Sequence, residues 1–127
     1  MPKTHYLNDN FINVALRNTA FASPAAIYVA LFTVSPTASG GGTEVGAGGY
    51  LRQAVTFTAP VNGVSSNTAD VLFGPAVAPW GTVTSFGLMD ANAGGNILYF
   101  GNLSTPRDIL ASDQLRFPTG QLLVQET

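Results

Sequence analysis

The chain has 127 residues and a mass of 13.2 kDa, the size of one domain. Charged residues make up 9% of it, against about 25% in ordinary globular chains, and hydrophobic residues reach 46%, which excludes disorder over the whole length. A formal net charge of −2 with five cations leaves nothing to build the basic stripe that a phosphate backbone requires, so nucleic acid is not an expected partner.

With 14 Gly and 8 Pro, turns must be frequent, which favours many short strands over a helical bundle. The absence of Cys removes disulfides and thiolate metal sites. The longest apolar stretch, residues 24–32, has nine residues where a spanning helix needs about 20, so membrane insertion is not expected. Residues 1–10 are polar and include Asp9, without the basic start and apolar stretch of a signal peptide. A surface this poor in charge is unusual for a freely diffusing monomer. Burial in an assembly, a homodimer or a higher symmetric oligomer, is the expectation that follows.

In chain order, Leu7, Phe11, Val14 and Ala15 fall at helical spacing within residues 6–20, with Asn8 as N-cap and Pro24 as a downstream stop. Residues 25–33 (AAIYVALFT) are rich in β-branched and aromatic side chains and read as a buried strand beginning near Ile27. Residues 37–49 (TASGGGTEVGAGG) have almost nothing to bury and read as an exposed, mobile loop. Residues 50–58 form a further strand, followed by a turn at Asn62-Gly63, and residues 68–73 (TADVLF) a short one closed by Gly74-Pro75.

The clearest signal is a hairpin over residues 80–103. Trp80, Thr82, Thr84, Phe86 and Leu88 alternate with Gly81, Val83, Ser85, Gly87 and Met89, the turn is residues 91–95 (ANAGG), and residues 96–103 return. Pro106 should end that strand, leaving short ones at residues 107–110, 115–117 and 121–125. About seven to nine short strands with one N-terminal helix predict an all-β domain over residues 1–127, an antiparallel β-sandwich or jelly roll, with an N-terminal arm over about residues 1–22.

Material for chemistry is sparse. His5 is the sole histidine and lies in the N-terminal segment, so neither a histidine-based triad nor a multi-histidine metal site can form within one chain. Of the seven acids, Asp90 and Asp113 sit where Asp side chains accept local backbone hydrogen bonds in turns. The run Gly40-Gly41-Gly42-Thr43 lacks the lysine and the following helix of a phosphate-binding loop. No catalytic residue, metal ligand or cofactor site is assigned, and the chain is not expected to be an enzyme. Trp80, Phe86, Tyr99 and Phe100 at strand spacing are the filling of a sandwich before they are a sugar-binding platform.

Taken together, Gly49-Tyr50-Leu51-Arg52-Gln53-Ala54-Val55-Thr56-Phe57, Asn62-Gly63, Ala69-Asp70-Val71-Leu72-Phe73 and Trp80-Gly81-Thr82-Val83-Thr84-Ser85-Phe86-Gly87 resemble a family of small tailed-phage virion proteins, often described as tail-fibre-like. The likeness continues through Gly94-Gly95-Asn96, Gly101-Asn102-Leu103, Pro106, Asp113 and Leu115-Arg116-Phe117, and covers most of the chain. These are strand and turn residues, so the resemblance implies a fold and a virion setting. Small β-sandwich proteins of this size also resemble the cement proteins of phage heads. The expectation is a capsid decoration protein bound to the major capsid protein on the outer head surface, holding capsomers together without any reaction. The alternative is a tail-fibre or tail-associated subunit, or an adhesin that binds host glycan through exposed Trp80, Tyr99 or Tyr50.

Two segments are candidate partner contacts. Tyr6, Leu7 and Phe11 of the N-terminal segment either cap an open end of the sandwich or pack on a neighbour. Gly41, Thr43 and Glu44 of the glycine-rich loop form the second, since long loops of this kind can order on binding.

Overall fold

The computed structural model describes residues 1–126, as one helix and nine strands in antiparallel pairs. In chain order these are α1 (His5–Leu16), β1 (Ile27–Val34), β2 (Thr43–Glu44), β3 (Gln53–Val55), β4 (Val64–Ser66), β5 (Val71–Phe73), β6 (Gly81–Met89), β7 (Ile97–Ile109), β8 (Leu115–Phe117) and β9 (Leu123–Gln125). The expected class, many short antiparallel strands with one short N-terminal helix, is the one observed. A five-stranded sheet is laid out around β1, and two two-stranded sheets, β4–β9 and β5–β8, complete the sandwich.

β1 is the hub because both of its edges are occupied. β6 pairs along one edge from Tyr28 to Phe32, and the other is shared by β3 at Ile27–Val29 and β2 at Phe32 and Val34. Leu31 lies in the gap between those two short strands, where its backbone groups would be buried without partners. Its N–H donates to the Tyr50 hydroxyl (2.9 Å) and its carbonyl accepts from the Val45 N–H (3.0 Å). Both buried polar groups are therefore satisfied, which a dry interior demands.

The core lies between the large sheet and the small ones. Val29, Leu31, Phe86 and Leu88 meet Val71, Phe73, Leu115, Phe117 and Leu122 there. Aromatic rings carry the junction: Phe117 packs edge-on to Phe86 (centroids 5.3 Å apart) and to Phe73 (6.1 Å), and Tyr50 stacks on Phe73 (6.1 Å). A second, smaller cluster of Ala30, Phe32 and Met89 occupies the opposite face of the large sheet.

Four local expectations change. The helix is capped by Thr4 rather than Asn8, the Thr4 hydroxyl accepting from Leu7 N–H and donating to Ile97 O, and it ends at Leu16. Strict alternation along the hairpin fails because a bulge lies between Val83 and Ser85, which puts Val83 with Phe86 and Leu88 on the core side. Pro106 does not end β7, which runs on to Ile109. An edge strand tolerates proline because the missing N–H is not needed for pairing there.

The fourth concerns residues 37–49, expected to be exposed and mobile with little to bury. Val45 is in the core, Thr43 and Glu44 form β2, and the Gly48 carbonyl accepts from both the Trp80 indole N–H (2.9 Å) and Val77 N–H (2.8 Å). Gly48 has φ +67, and a Cβ there would meet the Ala78 carbonyl and the Trp80 ring, so glycine serves close approach rather than looseness. The Asn62-Gly63 turn is as expected, both residues at positive φ (52 and 77) between the bridged pair Val61 and Val64.

Candidate functional site: an apolar arm and an anchored end

The N-terminal segment is fixed to the free edge of β7 before α1 begins. Thr4 N–H donates to Leu98 O (3.0 Å) and Phe100 N–H to Pro2 O (3.1 Å). Lys3 pairs with Glu126 (2.7 Å), which also accepts from the Tyr99 hydroxyl (2.5 Å), so both ends of the described chain meet on that strand. Burial pushes the Glu126 carboxyl up, but the bonds from Lys3 and Tyr99 prevail and hold it below the ordinary carboxylate range.

Of the three helical candidates, only Leu7 is enclosed, at 2% exposure. Leu7 therefore caps the body, while Tyr6 is exposed beside Phe21 and Phe11 is half-buried under the Lys3 ammonium (5.2 Å to the ring centroid). Replacing Leu7 with Ala is expected to lower stability by about 2 kcal/mol, at the low end for a buried leucine because a terminal helix can settle into the space. Thermal unfolding of the isolated chain measures it, and an unchanged midpoint would remove the capping role.

Beyond Leu7 the helix is apolar on more than one side and enclosed on none. Ile12, Val14 and Leu16 are 53%, 49% and 79% exposed. Phe11, Val14 and Ala15 line a groove of about 530 Å³ with Ala20, Phe21 and Ser23. A helix with this pattern is ordinarily buried.

The loop candidates fall into two groups. Gly41 and Thr43 are exposed, and the turn carrying Gly41 is brought beside the start of α1, where His5 N–H donates to Ala38 O (2.8 Å). Tyr6 and Gly41 thus line one small hollow with the β6–β7 turn at Gly95 and Asn96. Two contacts that the sequence treats as separate sit at one end of the molecule.

Glu44 is spent internally. Its carboxylate accepts twice from Arg52, at Nε and Nη2 (both 2.8 Å), and once from the Tyr50 hydroxyl (2.7 Å). Arg52 Nη1 reaches on to the carbonyls of Ala91 and Gly94 (both 2.8 Å), clamping the β6–β7 turn. Burial raises the Glu44 carboxyl, and the Arg52 and Tyr50 bonds together with the Arg52 charge outweigh it, leaving a net depression. Burial first, then the Glu44 bond, raises the Tyr50 phenol. The sequence does not announce this network; its one signal is an arginine, one of five cations, set among the apolar residues of the strand expected over residues 50–58.

The aromatics that the adhesin alternative would expose are engaged within the body. Trp80 is enclosed in the core with its N–H bonded, and the hydroxyls of Tyr50 and Tyr99 are held by Glu44 and Glu126. Asp90 and Asp113 serve turns, accepting from Asn96 N–H (2.7 Å) and Leu110 N–H (2.9 Å). His5 is exposed at the start of α1. The family model described as Podophage GP4 fiber I protein gp80 matches residues 2–125. Among curated proteins none matches.

Proposed function

The chain belongs to the family of the podophage GP4 fiber I protein gp80, a phage virion component, and from that premise we propose that it is a structural subunit of the tail fibre, held to a neighbouring virion protein through α1. The observation that carries this reading is the helix itself. It is tethered to the body at Thr4 and Leu7, yet presents Ile12, Val14 and Leu16 to solvent in a chain with only 9% charged residues. Burying such a surface against a neighbour supplies association free energy in proportion to the apolar area removed from water.

The role involves no reaction. In support, Glu44, Glu126, Asp70, Asp90 and Asp113 are all engaged in bonds that hold strands or turns together. Self-association of the subunit draws on the same charge-poor surface. Capsid decoration is the second reading, favoured by the compact body with a single apolar arm, which suits a clamp across a joint in the major capsid lattice.

The double variant Ile12→Asp/Leu16→Asp tests the fibre reading. Both sites are exposed, so the unfolding midpoint should stay within a few degrees of the parent. Attachment to virions lacking the subunit should be lost, measured by co-sedimentation. Attachment equal to the parent would contradict the proposed contact.

A further inference from the structure

β7 does not track β6 along its whole length. Asn102 pairs with Ser85 and Arg107 with Val83, so residues 103–106 stand opposite Thr84 alone. The long bulge swings this stretch away from its partner and opens a cleft of about 520 Å³ against β8 and the segment leading to β9. Its volume falls in the range of small-ligand sites.

The lining is chemically uneven. Phe86 and Phe117, each 8% exposed, are the aromatic residues of the lining, and Asn102 and Thr105 belong to the β7 side. Arg107 from β7 and Arg116 from β8 are among the lining residues, and no Asp or Glu lines the cleft although acids outnumber bases seven to five in the chain. Lys3 and Arg52 are committed to Glu126 and Glu44 at 2.7 and 2.8 Å. Arg116 has only a loose, exposed contact with Asp70 (3.5 Å), and Arg107 pairs with no carboxylate among the described residues. Two of the five cations, uncommitted or nearly so, therefore belong to residues that line one hollow.

We propose that this cleft binds an anionic saccharide, with Arg107 and Arg116 on its carboxylate or phosphate and the lining phenylalanines against the sugar ring. Guanidinium forks match both kinds of anion, and a sugar face covers apolar surface while its hydroxyls bond amide and hydroxyl side chains. The assignment deepens the fibre reading, since a fibre subunit displays this cleft to the cell surface, but binding itself is a property of the isolated chain.

Titration of the full-length chain by calorimetry, at low and physiological salt, tests it with four probes: a glucuronic acid disaccharide, its neutral glucose counterpart, glucose 6-phosphate and inorganic phosphate. The expected result is binding of the uronate or the sugar phosphate, the stronger of the two identifying the anion, with the neutral disaccharide at least about tenfold weaker. Arg107→Ala and Arg116→Ala should each weaken binding by about tenfold without moving the unfolding midpoint, and Arg107→Lys should restore part of it. No binding by either anionic sugar, equal binding of the neutral one, inorganic phosphate bound as well as the sugars, or indifference to both alanine variants would overturn the proposal. Loss of virion attachment in the α1 variant with sugar binding intact would separate this inference from the fibre reading.

Discussion

Replacing Phe73 with Ala is expected to destabilise the protein by about 3–5 kcal/mol, a large share of the roughly 5–15 kcal/mol that holds a typical domain together. The side chain is fully buried at 0% exposure and contacts two aromatic neighbours from different parts of the chain, Tyr50 and Phe117. Tyr50 supports the gap in β1 through Leu31, and Phe117 carries the contact to Phe86 on the large sheet. Truncation leaves a cavity that rings cannot collapse into without tilting away from these partners. Differential scanning calorimetry should show the midpoint falling by on the order of 10–20 °C. A fall of only a degree or two would mean that the small sheets are not cooperative with the large one.

Arg52→Ala is expected to cost about 2–4 kcal/mol, although a surface ion pair contributes less than about 1. The difference lies in burial and in the number of bonds: the Arg52 side chain is 8% exposed and donates to Glu44 and to two turn carbonyls. Its removal leaves the half-buried Glu44 carboxylate with the Tyr50 hydroxyl alone and the Ala91 and Gly94 carbonyls without this donor.

The pH dependence follows from the same pair. Because the folded Glu44 carboxyl is depressed, its contribution is fully present above the ordinary carboxylate pKa of about 4.3 and is lost as pH falls through the folded value. Stability of the parent relative to Glu44→Gln should therefore be greatest near neutrality and shrink below about pH 4. Urea unfolding at stepped pH measures the difference, and a gap that widened on acidification would carry the wrong sign.

How much of this could be read from residues alone depends on whether the deciding contact was local. The hairpin over residues 80–103 and the Asn62-Gly63 turn were legible because alternation and turn chemistry act between near neighbours. The bulge opposite Thr84 was not, since a break in register is visible only once both strands are aligned. Likewise Pro106 reads as a terminator until the outer edge of β7 is known to lack a further strand there.

Residues 37–49 illustrate the larger difficulty. Their glycines suggest a free loop, whereas Val45 in the core, Glu44 on Arg52 and Gly48 beneath Trp80 anchor it. Each partner is at least seven residues away in sequence, and no local pattern announces such a contact. β2 and β4, of two and three residues, were missed for a related reason: they are strands because β1 and β9 present an edge to them, not through their own propensity. The exposure of α1 beyond Leu7 and the presence of Arg107 and Arg116 on one cleft needed the assembled fold.

Imaging virions reconstituted with the purified chain by cryo-electron microscopy, with density compared at the tail and on the head, tests the fibre assignment most directly. The account predicts ordered copies at the tail fibres, with α1 buried against a neighbouring protein and the cleft beside β7 facing outward. Copies arrayed over the head lattice with bare tails would contradict it and establish the decoration role instead.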